Sequence, residues 1–159
     1  MLRIIGSAVV LLSATLFGMR KYNTYFERKK TLQDMLDGCR LIESRLMCLH
    51  APLHESFMGS GAFFENARAQ ILSGLLPEEA VKTAAYELHF LKKEDLGIIE
   101  RFASGLCASS CDGQLSNLGV FKAELEKSLE EATGELNLKG KLCVKGSILT
   151  AAAIVLLLI

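Results

Sequence analysis

The two ends of this chain are apolar and almost free of charge, whereas the segment between them is polar enough to be soluble. The first apolar stretch is Ile4–Met19, which lies between Arg3 and Arg20, and the second is Gly146–Ile159. At about 1.5 Å of rise per residue they reach roughly 24 Å and roughly 21 Å, against a hydrocarbon core of about 30 Å. Local thinning of a bilayer can compensate for such short spans. The layout predicts an N-terminal transmembrane helix over 1–21, a cytosolic helical domain over 22–145 and a C-terminal membrane helix over 146–159.

Each apolar end also has an alternative interpretation. A short basic segment followed by an apolar one is typical of a secretory signal peptide, although no small-x-small cleavage site precedes the basic cluster. An apolar run as short as Gly146–Ile159 is often a buried core helix, but a helix that is apolar all round has no face to turn to water. Secretion would also leave the second apolar end unexplained, so membrane helices at both ends are favoured.

Small residues within the two apolar stretches are spaced so that the helices can approach each other closely. Ala14 and Gly18 are four residues apart, and so are Ser147 and Ala151. Small residues at this spacing allow membrane helices to pack with their backbones near one another.

Basic residues flank the inner side of both apolar stretches and predict the orientation. They are Arg20, Lys21, Arg28, Lys29 and Lys30 after the first stretch, and Lys139, Lys141 and Lys145 before the second. By the positive-inside tendency the middle domain is cytosolic. The five cysteines agree, because an odd count without framework spacing is expected where thiols stay reduced. With 18 basic and 18 acidic residues, nothing indicates a nucleic-acid partner.

A repeat of apolar residues predicts one long helix with a buried stripe. The spacing alternates between three and four residues over Leu32, Met35, Cys39, Ile42, Leu46, Leu49 and Leu53. No glycine or proline interrupts residues 19–37, so the helix is expected to continue from the first apolar stretch. Packing of the stripe inside its own domain is favoured, and an intermolecular coiled coil is the alternative, since the run is close to the minimum for one.

Shorter helices are expected after Pro52, which lacks a backbone N–H and marks a bend. Gly74 is placed to end the first of them, and Pro77 followed by two acids opens the next. Residues 107–114 (CASSCDGQ) are predicted to be a loop, and a last helix is predicted from about Leu115, with bending near Gly134 and Gly140. The expected inward-facing residues are Phe57, Phe63, Phe64, Ala67, Ile71, Leu72, Val81, Ala84, Ala85, Leu88, Leu96, Ile99, Phe102, Leu106, Leu118, Phe121, Leu125, Leu129, Ala132 and Leu136.

These patterns together predict an all-α protein. Few consecutive β-branched residues occur in the middle domain, and the apolar positions follow helical spacing. The expected architecture is an antiparallel bundle of about five to six helices, flanked by the N- and C-terminal transmembrane helices.

No catalytic arrangement is evident in the sequence. His50 and His54 are four residues apart, but Pro52 lies between them and no HExxH motif is formed. Cys107 and Cys111 share that spacing without a second pair at a zinc-binding distance. There is no P-loop and no GxGxxG motif, so a nucleotide would have to be bound by a partner. We expect no enzyme activity, no metal and no cofactor; the alternative is a membrane-anchored metal or redox sensor that uses the histidines and cysteines.

The segment 41–54 (LIESRLMCLHAPLH) is the candidate for partner binding. It places an acid, a base, a histidine and a proline where the apolar repeat ends, and such a corner exposes apolar surface of the kind that docks other proteins. A turn packed around Leu53 is the purely structural interpretation. The candidate partner-binding residues are Glu43, His50, Pro52 and Leu53.

Several motifs, in this order and at this total length, resemble the stage III sporulation protein AB family of endospore-forming bacteria. The resemblance covers nearly the whole chain. Its parts are the apolar N-terminal helix, the YxER sequence at Tyr25–Arg28, the E-x-x-x-x-x-x-H-x-P-L spacing from Glu43 to Leu53, the segment Leu106–Gln114 and the apolar C-terminal anchor.

The resemblance implies a non-enzymatic platform subunit of the channel that links mother cell and forespore. The family is similar to the cytoplasmic domains of the type II secretion inner-membrane platform protein F, small antiparallel helical bundles that engage a cytoplasmic ATPase. The implied partners are the membrane, a stage III sporulation protein AA-like ATPase and other channel subunits. Assembly of several copies into a homo-oligomer is a further alternative. The implied location is the cell membrane with a cytosolic domain, on the mother-cell side of the outer forespore membrane.

Overall fold

The computed structural model describes residues 2–49, 52–106 and 111–158, with side chains described for 12–48, 52–106 and 112–154. Within those residues the chain is helical apart from connecting turns, which confirms the predicted all-α class. The elements are α1 (Leu2–Leu49), α2 (Leu53–Ser56), α3 (Ala62–Leu72), α4 (Pro77–Tyr86), α5 (Lys93–Leu106), α6 (Cys111–Glu135), a π-helical segment (Leu136–Gly140) and α7 (Lys141–Leu158).

The chain forms two compact units. The terminal unit comprises Met1–Lys29 and Glu131–Ile159, and the central unit comprises Lys30–Glu130. The long helices α1 and α6 each contribute residues to both units. The remaining short helices, α2 to α5, belong to the central unit.

In the central unit, α1 buries the apolar stripe that its sequence predicts. The side chains of Leu32, Met35, Cys39, Ile42 and Leu46 are at most 3 % exposed. The stripe is therefore buried within the chain, as the intramolecular interpretation predicts. The side chain of Leu49 lies outside those the structure describes, and Leu53 is half-buried at the start of α2.

Gly38 allows α1 to pack directly against the turn before α3. A Cβ atom at this position would lie 2.0 Å from the Ser60 carbonyl oxygen and 2.8 Å from the Phe64 ring. The Phe64 side chain is fully buried, and its ring centroid lies 5.2 Å from that of Phe57 and 5.1 Å from that of Phe63. Each such aromatic pair adds about 0.5–1.5 kcal/mol beyond the burial of its area. This aromatic cluster is the part of the core beneath the turn.

The helices α4, α5 and α6 run in alternating directions. Glu78, near the start of α4, accepts a hydrogen bond of 3.3 Å from the Ser104 hydroxyl, near the end of α5. Phe102 of α5 stacks on Phe121 of α6 with ring centroids 4.2 Å apart and planes inclined by 10°. The Asn117 side chain of α6 donates to the Phe102 carbonyl at 2.9 Å. These contacts confirm antiparallel packing of the three helices.

A glycine ends α3 and a proline begins α4, as the sequence predicts. Gly74 adopts φ +103° just after α3, where the left-handed region favours glycine. Its N–H donates to the Ile71 carbonyl at 3.0 Å, and the Leu75 N–H donates to the Gln70 carbonyl at 3.2 Å, a Schellman motif. Pro77 then occupies the first turn of α4, where its missing N–H leaves no helical bond unmade.

The predicted loop over 107–114 is too long at its C-terminal end. Helix α6 begins at Cys111, four residues before the expected Leu115, and Asp112 lies in its first turn. An acid there complements the helix dipole, a start signal that outweighs the small and polar composition of the segment. Gly134 lies inside α6, and Gly140 ends the π-helical segment.

Some residues expected to face inward are only half-buried or exposed. Helix α4 ends at Tyr86, so Leu88 falls outside it, and in α5 the buried position belongs to Ile98 instead of Leu96. Leu72, the last residue of α3, lies at the exposed end of the helix. The residues expected inside that are not fully buried are Ile71, Leu72, Leu88, Leu96 and Leu129.

In the terminal unit, the residues near the two ends of the chain pack closely. A Cβ at Gly18 would lie 2.9 Å from the Ser147 hydroxyl oxygen, and Ala151 is only 1 % exposed. A Cβ at Gly140 would lie 3.2 Å from the Tyr22 ring. The small residues therefore permit the close approach that their spacing predicts. In the part of the chain that the structure describes, no helix is both long enough and apolar enough to cross a membrane.

A buried ion pair joins α1 to α6 within the terminal unit. The Arg28 guanidinium donates to the Glu135 carboxylate at 2.9 Å, and the two side chains are 3 % and 10 % exposed. Lys139 approaches the other oxygen of Glu135 at 2.5 Å. A pair this far from water is expensive to break, because removing one partner leaves the other charge buried.

Candidate partner-binding surface

The predicted partner-binding residues lie around the connection between α1 and α2. We call residues 43–58 the α1–α2 corner. Pro52 precedes α2 with φ −57° and ψ 150°, and its carbonyl oxygen accepts hydrogen bonds from the N–H groups of Glu55 and Ser56, both at 3.0 Å. The proline therefore opens α2. Pro52 is exposed and Leu53 is half-buried, so both contribute to one accessible turn.

Arg45 ties this turn to α1. Its guanidinium donates to the carbonyl oxygen of Ser56 at 3.1 Å and to that of Met58. The last carbonyl groups of a helix have no partner inside it, and a charged donor satisfies them well. Arg45 was not among the predicted site residues, yet it fixes the turn that carries Pro52 and Leu53.

Glu43 points toward a different element. Its carboxylate accepts from the Lys122 ammonium of α6 at 2.6 Å, with the two side chains 33 % and 23 % exposed. One turn earlier on α1, burial raises the pKa of the Cys39 thiol to about 12, an effect that Lys122 opposes and Glu43 reinforces. Cys39 is thus a neutral core thiol at physiological pH. Glu43 has a structural contact of its own, independent of any partner.

Two hydrogen-bonded pairs lie on the surface where α4 meets α5. Lys82 donates to Glu78 at 2.6 Å, which lowers the pKa of the Glu78 carboxyl and raises that of Lys82. Tyr86 donates to Glu100, and that bond raises the pKa of the Tyr86 hydroxyl. Both pairs face solvent, where such interactions contribute little to stability.

Residues proposed for metal or redox chemistry are not brought together in the described chain. The His54 ring lies 4.0 Å from the Glu55 carboxylate and is 43 % exposed, and Cys48 is exposed on α1. Among the described residues, no group of three or more histidine, cysteine or acidic side chains could hold a metal ion. His50, Cys107 and the side chain of Cys111 lie outside those residues. The sensor alternative gains no supporting observation.

A second apolar surface was not anticipated from the sequence. Leu72, Leu75 and Leu76 are 63 %, 37 % and 62 % exposed around the connection between α3 and α4. We call these three residues the leucine turn. The signal that could have revealed it is the absence of any charge between Arg68 and Glu78, a stretch that also contains the glycine and proline of a turn.

A comparison with known protein families matches almost the whole chain. The family model for stage III sporulation protein AB (spore_III_AB) matches residues 3–159. The chain belongs to the stage III sporulation protein AB family. A solved structure of stage III sporulation protein AB superposes with a TM-score of 0.58 at 17% sequence identity, covering 69% of this chain and 96% of that chain. The fold is therefore shared. A comparison with curated protein sequences finds no match.

Membership in the stage III sporulation protein AB family identifies a sporulation-related protein and confirms the resemblance inferred from the sequence motifs. One of these motifs, YxER at Tyr25–Arg28, also acquires a physical role. Its arginine forms the buried ion pair with Glu135.

Proposed function

We propose that this member of the stage III sporulation protein AB family is a non-enzymatic platform subunit of the sporulation channel between mother cell and forespore. It docks a cytosolic ATPase, related to stage III sporulation protein AA, and other channel subunits. Family membership over residues 3–159 is the observation that carries the proposal. The sequence lacks a P-loop, so ATP hydrolysis would come from the partner.

Both ends of the chain hold the protein at the membrane in this proposal. The apolar stretches Ile4–Met19 and Gly146–Ile159 support it, as does the close approach of Gly18 to Ser147 within the terminal unit. In this proposal the central unit lies in the cytosol, which the basic residues on the inner flanks support. The mother-cell side of the outer forespore membrane is the location that the family implies. The central unit then faces soluble partners while its chain ends stay at the bilayer.

The α1–α2 corner is the proposed docking surface for the ATPase. Pro52 and Leu53 support this role, because the turn that carries them is accessible and is held in place by Arg45. Glu43 and His50 complete the proposed set. A preorganised turn binds with a smaller loss of conformational entropy than a flexible loop does.

The first experiment tests the platform proposal as a whole. The gene is deleted in a spore-forming host, and heat-resistant spores are counted after sporulation with and without the full-length chain. We expect development to stall after engulfment without the chain, and the detergent-solubilised chain to retain the ATPase in a pull-down. Normal spore numbers in the deletion strain would refute the proposal.

The second experiment separates a docking role of Glu43 from its ion pair with Lys122. Glu43→Lys alone places two cations together, and the double variant Glu43→Lys with Lys122→Glu restores an opposite pair in reversed order. If Glu43 contacts the ATPase, the double variant regains thermal stability but not ATPase retention. Recovery of both would show that Glu43 acts only within the bundle. Leu53→Ser, compared with the exposed control Val120→Gln on α6, tests the turn itself.

A further inference from the structure

The leucine turn concentrates exposed apolar surface at one place in the central unit. Leu72 ends α3, Leu75 is the last residue of the Schellman motif, and Leu76 immediately precedes α4. Single exposed leucines are normal on protein surfaces, but three within five positions form a patch of the kind that marks interaction sites.

Leu76 also contradicts the local rule for starting a helix. It occupies the N-cap position of α4 and makes no side-chain hydrogen bond to the helix. Serine, threonine, asparagine and aspartate are preferred at N-caps, because their oxygen satisfies a free N–H of the first turn. A leucine here gives up that bond and exposes 62 % of its side chain to water. A residue that gives up a cap bond and leaves an apolar side chain largely in water indicates a function outside the fold.

The backbone holds the three leucines in a fixed arrangement. The two hydrogen bonds of the Schellman motif close the end of α3, and Gly74 supplies the left-handed conformation between them. Pro77 fixes the backbone at the start of α4. A turn constrained on both sides presents its side chains with little entropy left to lose on binding.

The charges near the leucine turn indicate what kind of surface can bind it. Residues 69–81 contain no lysine or arginine, and Glu79 is exposed beside the turn. Surfaces that bind anionic lipid are rich in basic residues, so a membrane surface is disfavoured. A groove of about 320 Å³ on the central unit is lined in part by Asp34 and by Asp37, which pairs with Arg40, and these acids would not complement Glu79 of a second copy.

We infer that the leucine turn inserts into an apolar pocket, rimmed by basic side chains, on a partner protein of the sporulation channel. This inference rests on the proposed platform function, to which it adds a second docking element besides the α1–α2 corner. Apolar side chains that fill a pocket provide most of the affinity of such a contact, while a basic rim would complement Glu79.

Leu76→Ser provides the decisive test, because stability and function should change in opposite directions. A serine at the N-cap should raise the melting midpoint of the full chain by roughly 2–4 °C. The same change should weaken retention of the ATPase in the pull-down roughly tenfold. It should also lower the spore count of a complemented deletion strain. Val120→Gln removes an apolar side chain that is 58 % exposed on α6, outside both docking elements, and should leave all three readouts unchanged.

A second variant keeps the inference testable if Leu76→Ser is unstable. Leu72→Gln changes the patch at the last residue of α3 with almost no change in helix propensity. Wild-type spore counts from both variants would overturn the inference. A benzophenone amino acid at position 72 then identifies the occupant in sporulating cells. Crosslinking to a channel protein, together with the spore defect, supports the inference, whereas adducts with a second copy or with lipid overturn it.

The experiment also separates this inference from the platform proposal. If the wild-type chain fails to retain the ATPase, the proposed ATPase docking fails, and the spore counts of the two leucine variants still decide the role of the turn. If the ATPase is retained equally by the wild type and by both variants and spores are normal, only the leucine inference fails.

Discussion

The substitution Gly38→Ala should destabilise the protein, although alanine normally stabilises a helix. The added Cβ would lie 2.0 Å from the Ser60 carbonyl oxygen, and contacts below 3.0 Å do not occur at real Cβ atoms. The carbonyl must therefore retreat by about 1 Å or the helix must shift. Ser60 is not free to move, because its N–H donates to the Phe57 carbonyl at 3.2 Å and its hydroxyl donates to the Ser56 carbonyl at 3.0 Å.

The expected magnitude follows from three contributions. Overpacking costs about 1–3 kcal/mol. The loss of one hydrogen bond of Ser60 adds about 1 kcal/mol, and the higher helix propensity of alanine returns about 1 kcal/mol. The net loss is about 2 kcal/mol, which lowers the melting midpoint by roughly 4–8 °C for a chain of this size.

Gly119→Ala is the matched control on α6. A Cβ there would meet no atom within 4 Å, so only the gain in helix propensity applies. That variant should melt roughly 2–4 °C higher than the wild type. Thermal unfolding of the full chain in mild detergent, followed by far-ultraviolet circular dichroism, measures both changes. A Gly38→Ala protein as stable as the wild type would refute the packing described for α1 and the turn before α3.

Four further predictions follow from buried groups. Iodoacetamide should label Cys48 rapidly in the native protein and leave Cys39 unmodified until the chain is unfolded, as mass spectrometry would show. The pKa of the Cys39 thiol is about 12 in the folded protein and 9.0 in the unfolded chain. The contribution of Cys39 to stability should therefore be complete below pH 9.0 and should be lost as the pH rises from 9.0 to about 12. Cys39→Ala should lack this alkaline loss of stability. Arg28→Met should lower the free energy of unfolding by less than the about 3 kcal/mol expected of a fully broken buried pair, because Lys139 still pairs with Glu135; adding Glu135→Leu should recover most of the loss, as denaturant titration would show. Phe121→Ala should cost about 3–5 kcal/mol through loss of its buried ring, and a smaller decrease would contradict the stacking with its α5 partner.

The helices and most of the core could be predicted because their signals are local. The stripe from Leu32 to Leu46 repeats with the period of an α-helix, and that period alone decides which side chains share a face. Gly74 and Pro77 mark the end of α3 and the start of α4, because their backbone preferences act within one or two residues.

Element ends and face assignments near them were less predictable. In the segment CASSCDGQ, small polar residues indicate a loop, while Asp112 indicates a helix start, and only the folded chain shows that the helix signal prevails. In α5, Asp95 is 1 % exposed and accepts from the Lys92 N–H at 3.0 Å, so a carboxylate occupies a position that composition would assign to solvent. Its burial depends on a cap bond that the sequence alone does not display.

The candidate site was predicted in part. The sequence located the corner that carries Pro52 and Leu53, because a proline at the end of an apolar repeat indicates a turn. It gave no indication that Arg45 holds that turn or that Glu43 pairs with Lys122. Those contacts depend on how α1 meets α2 and α6, which no periodicity along a single helix reports.

The sequence by itself determined the all-α class, the buried stripe of α1 and the apolar character of both ends. Each of these follows from short-range periodicity or composition. Only the tertiary structure decided that Arg28 meets Glu135 across 107 positions, that Gly38 lies against Ser60, and that the leucine turn stays in water. These outcomes depend on the distance between surfaces of separate elements, and that distance is fixed only when the whole core packs.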